Sequence, residues 1–326
     1  ITWQVFQYDF ADDATILRSK HPGAIEPTRR SIVKIAVPDS SFVKGYLFAD
    51  LPTETFTNLP FHIQADFYPT SDRKRILLDD SISSEWNQLA IRSAAVPITS
   101  SFDRIQKLFK PILFWDWIAQ IHKGGKETFL HPAFSIFWDK LSETLASKRI
   151  LVTSKDETTY LQDACLLASD EEIAATDIWE AINIKIVHPD LRKHFTLLQE
   201  LGTPRMRLTD ITRGLRSGGL TGTQSFKHVP VPLRKNDGWI KLWKAVDILW
   251  NTRTRSSAEE RDIANRDFAN LAIAPGTDGN LHIPAKMFNG DPTAQKLFPE
   301  LVWLKILPDQ DPIMTDLIRH FTVSEA

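Results

Sequence analysis

The sequence predicts an α+β fold, with an antiparallel sheet in residues 1–98 and a mostly helical region in residues 99–326. Three observations support this prediction. Several short strand-like runs lie close together before residue 70, a spacing that favours antiparallel pairing. From Ser84 onward, apolar residues recur every three or four positions, as they do in helices. Two later segments, near residues 150 and 271, return to a strand-like pattern.

Four strands are predicted in the first region: Thr2–Tyr8, Ser31–Val37, Gly45–Asp50 and Phe61–Tyr68. The last has its apolar residues at alternate positions, as one buried face requires, and His62 then points away from that face. A polar loop with at most one helical turn is predicted over residues 11–29, and a proline-bounded loop joins the third strand to the fourth. Because these strands follow one another so closely, we expect an antiparallel meander.

Helices are predicted from Ser84 to Pro97, over residues 102–109, and from Pro111 to a break at Gly124-Gly125. The clearest helix follows much later. Its apolar residues lie at i, i+3, i+4, i+7, i+10 and i+11, namely Trp239, Leu242, Trp243, Val246, Leu249 and Trp250. Ser256 and Glu259 have the spacing of a capping box and predict the start of the next helix.

Two segments share one order of elements. In residues 150–167 and again in residues 271–288, an apolar strand is followed by a polar turn, a second short strand and an alanine-containing step. We interpret them as a degenerate internal repeat, which predicts two small α/β units at about 150–235 and 271–326.

The composition is that of an ordinary folded protein, with 42% hydrophobic and 25% charged residues. The formal net charge of -2 gives no argument for nucleic acid or membrane as a general partner. The single cysteine, Cys165, excludes an intrachain disulfide and favours a reducing, cytoplasmic environment, where it is expected to be a small core residue. The chain enters a strand-like run almost at Ile1, which predicts a fragment of a longer protein.

A series of short motifs lies between Gly45 and Leu89. They are Leu51-Pro52-Thr53-Glu54-Thr55, Leu59-Pro60-Phe61-His62-Ile63, Phe67, Ser71-Asp72-Arg73-Lys74 and Trp86-Asn87. Their order resembles the sacsin-like family of the GHKL ATPase superfamily, which includes gyrase, heat-shock chaperones of the ninety-kilodalton class, histidine kinases and MutL. The resemblance is specific over this stretch and loose elsewhere.

The resemblance implies that residues 1–98 are a GHKL middle, transducer-like domain that follows an ATP-binding domain. It implies a non-catalytic segment of a chaperone-type ATPase, whose ATP and Mg²⁺ are held by the full-length parent. The expected partners are that ATP-binding domain and a client protein, or a second copy in self-association. The chain alone is expected to hydrolyse nothing.

The same resemblance implies that a cation of this segment contacts the γ-phosphate, with Arg73 as the first candidate, Arg75 as the second and Lys74 in the same cluster. Where the family has Ser-Asn or Ser-Ser before the arginine, this chain has Ser71-Asp72. The alternative is a solvated basic turn between a strand and a helix.

No nucleotide pocket can be recognised in the sequence. The D-x-G-x-G motif and the glycine-rich lid of the superfamily are absent, and residues 124–128 lack the glycine and Lys-Ser/Thr spacing of a phosphate-binding loop. The glycine-rich loop at residues 217–223 has no adjoining Lys-Ser/Thr either, and is interpreted as a loop. The nine histidines have no metal-ligand spacing, so no metal site is predicted.

A second basic stretch carries Arg205, Arg207, Arg213 and Arg216. It supports an alternative function, a nucleic-acid-binding or defence-system module that uses this face. A solvated surface is the simpler interpretation of the same arginines. A protein–protein interaction scaffold, in which neither basic group has a role, is the third alternative.

Overall fold

The computed structural model describes residues 2–39, 43–126, 131–234, 236–251, 257–288 and 292–303. These residues combine strands and helices in the α+β arrangement that the sequence predicts. The chain forms two compact units, one of residues 1–152, 158–161 and 189–202, the other of residues 153–157, 162–188 and 203–326. Within the described ranges, no helix is both long enough and apolar enough to cross a bilayer.

The first unit contains a five-stranded sheet of β1 (Trp3–Asp9), β2 (Ile32–Pro38), β3 (Tyr46–Ala49), β4 (Leu51–Phe56) and β5 (His62–Ala65). The strand order is β1-β2-β5-β3-β4. All neighbours are antiparallel except β3 and β5, which are parallel. The predicted meander is therefore wrong. In a meander β3 would pair with β2, but here β5 lies between these two strands, and the hairpin of β3 and β4 forms the edge of the sheet.

One strand lies where a loop was predicted, and one helix of ten residues lies where at most one helical turn was predicted. Strand β4 occupies the proline-bounded loop and buries only Thr53, whose hydroxyl donates a 2.8 Å hydrogen bond to the Leu47 carbonyl. Helix α1 (Ala11–Lys20) occupies the first polar loop and buries only Ala14. Neither segment has an apolar periodicity, since each has a single buried side chain.

Helices pack on one face of the sheet: α2 (Ile82–Ser93), α3 (Ala95–Ser100), α4 (Phe102–Gln106), α5 (Pro111–Lys126) and α6 (Ser135–Ala146). The alternate residues of the β5 region are buried against them, as predicted. Phe61 contacts Trp117 and Phe137, with ring centroids 6.1 and 5.5 Å apart. Sheet and helices thus share one core, and the predicted boundary at residues 98 and 99 falls inside one compact unit.

Helix α5 continues through the predicted break at Gly124-Gly125. A Cβ added at Gly124 would lie 3.2 Å from the Asn58 carbonyl oxygen, and one added at Gly125 would lie 2.9 Å from the Trp138 Cβ. These glycines are therefore needed for close packing of α5. Pro97 likewise lies within α3, where the sequence predicts a helix end.

The first unit also holds the β6 (Leu151–Val152) and β7 (Thr158–Thr159) pair and helix α9 (Phe195–Glu200). The second unit contains helices α7 (Asp170–Ala174), α8 (Thr176–Ala181), α10 (Leu208–Ser217), α11 (Asn236–Asn251), α12 (Ala258–Phe268) and α13 (Pro292–Leu297), and strands β8 (Gln224–Ser225), β9 (Ala274–Pro275) and β10 (Asn280–His282). Five of the six residues predicted for the apolar stripe of α11 are buried, and the sixth, Trp250, is partly buried against the same core. The N-cap of α12 is Ser257, one residue after the predicted Ser256, which lies outside the described residues.

The two predicted repeats share a turn geometry. In the first, the Thr153 amide donates to the Glu157 carbonyl (2.9 Å), and Asp156 has a positive φ of 59°. In the second, the Gly276 amide donates to the Asn280 carbonyl (2.8 Å), and Gly279 has a φ of 82°. Each turn precedes a 3-10 helix, over Leu161–Asp163 and Pro284–Lys286. Residues 304–326 of the second predicted repeat lie outside the described residues.

Candidate functional site

The predicted cluster of cations lies at the tip of a short hairpin after β5. Pro69 and Ile76 form an antiparallel bridge, and the Thr70 amide donates to the Arg75 carbonyl at 2.7 Å. The Glu54 amide of β4 donates to the Lys74 carbonyl, also at 2.7 Å. The hairpin of residues 69–76, here called the basic hairpin, is thereby attached to the edge strand of the sheet.

Asn87 of α2 holds the base of the basic hairpin. Its Oδ1 accepts from the Tyr68 amide (2.7 Å), and its Nδ2 donates to the Tyr68 and Leu77 carbonyls (2.8 Å each). The side chain is fully buried. One carboxamide therefore joins the residues that enter and leave the hairpin, and α2 sets the hairpin's position.

Two further contacts support the segment just before the hairpin. The indole Nε1 of Trp86 donates to the Asp66 carbonyl at 2.9 Å. The Arg29 guanidinium pairs with the Asp66 carboxylate at 2.7 Å and lies over the Tyr68 ring, 3.6 Å from its centroid. The Trp86-Asn87 dipeptide thus contributes two side chains that anchor the chain on the way to the basic hairpin.

Arg73 has an unusual backbone conformation. Its φ is 56°, and its amide donates to the Thr70 carbonyl at 2.8 Å. Every other non-glycine residue with positive φ in the described ranges is Asp or Asn, the types that tolerate this region best. A long cationic side chain at such a position costs on the order of 1 kcal/mol of backbone strain.

The basic hairpin leaves two of its three cations available. The side chains of Arg73 and Arg75 are exposed, with no hydrogen bond or ion pair to any described residue. Lys74 is 3.7 Å from the Glu54 carboxylate, in a contact that water screens because both groups are largely exposed. Two guanidinium groups are therefore available to bind an anion, on a backbone that hydrogen bonds fix to α2 and β4.

Asp72 takes its hydrogen bonds from the turn itself. Its Oδ1 accepts from the Thr70 hydroxyl (2.6 Å) and from the Lys74 amide (3.0 Å). These two bonds, the hydroxyl first, lower the pKa of Asp72. Asp72 thus closes the turn that presents Arg73.

The second predicted site, the stretch of four arginines, has a different character. Arg207 and Arg213 both pair with Asp210, at 3.4 and 3.3 Å. Arg216 pairs with Asp267 at 2.8 Å. Arg205 is exposed on the same stretch. Asp210 and Asp267 thus pair with Arg207, Arg213 and Arg216, and this surface is a network of ion pairs around α10.

Cys165 is buried in the core of the second unit, as predicted, and burial raises the pKa of its thiol to about 12. It also lines an open cavity of about 390 Å³ that Arg207, Asp210 and Arg213 share. A thiol with this pKa is protonated and weakly nucleophilic at neutral pH.

The contact between His282 and Asp278 was not predicted from the sequence. His282 Nε2 lies 2.9 Å from both carboxylate oxygens of Asp278, and its Nδ1 lies 3.4 Å from the Thr223 hydroxyl. Burial raises the pKa of Asp278, but hydrogen bonds from Asn280 and His282 outweigh it and lower the pKa to about 2. Since Asp278 also caps its own turn through the Asn280 amide, this cluster stabilises the β9–β10 turn.

His62 points away from the buried face of β5, as predicted, yet it is half-buried. Its ring stacks on Trp3, with centroids 4.7 Å apart, and meets the edge of Phe48 at 5.1 Å. Its Nδ1 accepts from the Tyr46 amide, and burial lowers its pKa. His62 is thus neutral at pH 7 and ties β3 to β5.

The described residues hold no group of three or more His, Cys, Asp or Glu side chains that could bind a metal ion. Compared with known families, with curated proteins and with solved structures, the chain matches none. The family resemblance therefore stays a prediction.

The sequence identified Trp86 and Asn87 as motif residues but gave no hint of what they hold. Their partners are main-chain atoms of Asp66, Tyr68 and Leu77, which no residue pattern specifies. The positive φ of Arg73 was equally hidden, because the usual signals for that conformation are Gly, Asn and Asp.

Proposed function

We propose that this chain is the middle segment of a sacsin-like, chaperone-type ATPase and that Arg73 contacts the terminal phosphate of a nucleotide bound in the parent's ATP-binding domain. The segment itself performs no chemistry. It couples the nucleotide state of that domain to the binding of a client or partner protein. The order of motifs from Leu51 to Asn87 and the geometry of the basic hairpin support this proposal.

One observation carries the proposal, the strained and exposed Arg73. A solvated turn needs Gly or Asn at a position with positive φ, because these residues adopt it at least cost. An arginine at this position costs backbone strain. Its side chain makes no hydrogen bond or ion pair with a described residue that would offset this cost. Such strain at an exposed cationic tip indicates a ligand outside the segment.

The chemistry of the contact follows from charge. The terminal phosphate of a nucleotide gains or redistributes negative charge during transfer, and a guanidinium stabilises it through paired N–H donors. Asn87 holds the base of the hairpin, so Arg73 reaches an anion with little loss of backbone entropy. Arg75, one residue beyond Lys74, is placed to give a second contact.

In this proposal the ATP-binding domain holds adenine, ribose and Mg²⁺, and this segment supplies cations alone. The sequence has no glycine-rich loop with the Lys-Ser/Thr spacing of a phosphate-binding loop.

The test is ATP turnover by the full-length protein, with Arg73→Ala and Arg75→Ala compared with wild type. We expect kcat to fall at least ten-fold for Arg73→Ala, equivalent to about 1.4 kcal/mol of lost transition-state stabilisation. Arg73→Gly should lose the same activity while relieving the backbone strain. Arg92→Ala is the matched control, since Arg92 is an exposed arginine on α2.

If kcat is unchanged in both Arg73→Ala and Arg75→Ala, the proposed phosphate contact is wrong and the basic hairpin is only a solvated turn. If the full-length protein has no turnover, nucleotide-dependent closure replaces kcat as the quantity to compare between the same variants. The nucleic-acid alternative predicts DNA or RNA binding that weakens steeply with salt and is lost in Arg205→Ala. The ion pairs on α10 do not favour it.

A further inference from the structure

Strand β1 lies at one edge of the five-stranded sheet and pairs with β2 alone. Two bonds at its ends show which backbone groups face β2. The Phe10 amide donates to the Ser31 carbonyl at 2.8 Å, and the Asp39 amide donates to the Thr2 carbonyl at 3.1 Å. Because bonded and non-bonded pairs alternate along antiparallel strands, the even-numbered residues of β1 bond to β2, and the odd-numbered ones direct their amides and carbonyls away from the sheet.

The outward-facing edge of β1 consists of Trp3, Val5 and Gln7. Among the described residues, none bonds to the amides or carbonyls of these three on the outer side. The side chain of Val5 is 56% exposed, and Gln7 is exposed as well. The edge therefore presents a row of open donors and acceptors, which another extended strand can complete.

The devices that usually protect a sheet edge are missing from β1. Residues 3–8 contain no proline and no charged side chain, and the strand pairs with β2 along its seven residues without a bulge. The other edge differs. Strand β4 contains Pro52 and pairs irregularly with β3, and its Glu54 amide bonds to the Lys74 carbonyl of the basic hairpin. Of the two edges, β1 is thus the open one.

The row of open groups on β1 is complementary to itself. When two β1 strands pair antiparallel about a twofold axis, Val5 faces Val5 of the second copy, and Trp3 faces Gln7. All three residues of each strand then lie in hydrogen-bonded pairs, with every outward amide donating to a carbonyl of the other strand. The two Val5 side chains become cross-strand neighbours about 5 Å apart and are shielded from water.

Charge does not oppose this pairing. The nearest charged residue of β1 is Asp9, whose carboxylate accepts from the Ala11 amide at 3.0 Å and from the Ser31 hydroxyl at 2.7 Å. With Val5 on the axis, the two copies of Asp9 are about 27 Å apart along strands that rise about 3.4 Å per residue. Physiological salt screens exposed charges beyond about 8 Å, so the two carboxylates do not repel each other appreciably.

We propose that the open edge of β1 pairs with β1 of a second copy of this chain, so that one sheet continues across the twofold axis. The occupant of the edge is residues 3–7 of that copy, all of which the structure describes. The proposal does not depend on the phosphate contact of Arg73, and it gives self-association a defined surface.

The experiment measures the molar mass of the whole chain by light scattering over a range of concentrations, and we expect a reversible dimer. Val5→Lys places two ammonium groups on the axis and should raise the dissociation constant at least ten-fold. Val5→Pro removes an outward amide but no bond to β2, so it should weaken the dimer as much while circular dichroism stays unchanged. Leu51→Lys is the control, since Leu51 is 69% exposed on the other edge strand.

Two further measurements locate the axis. A short bifunctional maleimide should crosslink Val5→Cys between copies but not the wild type, whose single cysteine, Cys165, is buried. Hydrogen exchange at the amides of Trp3, Val5 and Gln7 should be fast in the dilute monomer and slow in the dimer.

Three results would overturn the proposal. The first is a chain that stays monomeric up to millimolar concentration. The second is a dimer that Val5→Lys and Val5→Pro leave unchanged, because another surface would then hold it. The third is slow exchange at the outward amides of β1 in the dilute monomer, because the chain would then cover its own edge.

Discussion

Asn87→Ala tests most directly whether the Asn87 carboxamide fixes the position of the basic hairpin. The substitution removes three hydrogen bonds from a fully buried site. The Tyr68 carbonyl keeps the bond from the Leu77 amide (3.1 Å), but the Tyr68 amide and the Leu77 carbonyl lose their carboxamide partner. Each buried group left unsatisfied costs about 1–3 kcal/mol, so we expect a loss of about 3 kcal/mol in the free energy of unfolding.

The assay is urea denaturation followed by tryptophan fluorescence, together with amide hydrogen exchange over residues 68–77. Exchange in the hairpin should rise more than exchange in the body of α2. Asn87→Asp should destabilise at least as much, because a carboxylate cannot donate to the Tyr68 and Leu77 carbonyls.

Gln88→Ala is the control on the same helix. Gln88 is half-buried and makes one bond, 3.3 Å to the Ser84 hydroxyl, so its loss should cost below about 1 kcal/mol. If Asn87→Ala costs no more than Gln88→Ala, the carboxamide does not hold the hairpin, and the assignment of α2 as its support is wrong.

Three other outcomes are expected. Gly45→Ala should lower the free energy of unfolding by about 1–3 kcal/mol, because the new Cβ would lie 2.6 Å from the Leu59 carbonyl oxygen; chemical denaturation measures it. Asp278 has a folded-state pKa of about 2, below its ordinary 3.8, so its contribution is present above pH 4 and is lost as the pH falls towards 2; Asp278→Asn should remove that part of the pH dependence of stability. Cys165, with a pKa of about 12, should react slowly with an aromatic disulfide reagent at pH 7 and at least ten-fold faster in urea.

The sequence predicts the parts of the fold that carry a strong periodicity. The alternation of Phe61, Ile63, Ala65 and Phe67 and the stripe of α11 both give the buried faces that the structure has. Strand β4 was missed and helix α1 was predicted as at most one turn, because each buries one small side chain, which leaves no periodic signal. The parallel pairing of β3 with β5 depends on which strands meet in space, and strand spacing along the chain does not determine that.

The sequence identifies the basic residues of the candidate site, but it does not show which of them pair with a carboxylate. Arg73 and Arg207 cannot be distinguished in this respect from the sequence alone. In the structure the side chain of one has no partner among the described residues, while the other pairs with Asp210. The difference arises from the chain's path around each residue, which puts a carboxylate three positions into α10 and a left-handed turn at Arg73.

Trp86 and Asn87 are consecutive residues of one helix, and between them they hold both sides of the basic hairpin. The hairpin is also bonded to β4 through the Lys74 carbonyl, next to Arg73. Because both α2 and this edge strand fix the hairpin, a displacement of the Arg73 backbone is expected to move α2 and β4 with it instead of being absorbed within a flexible loop.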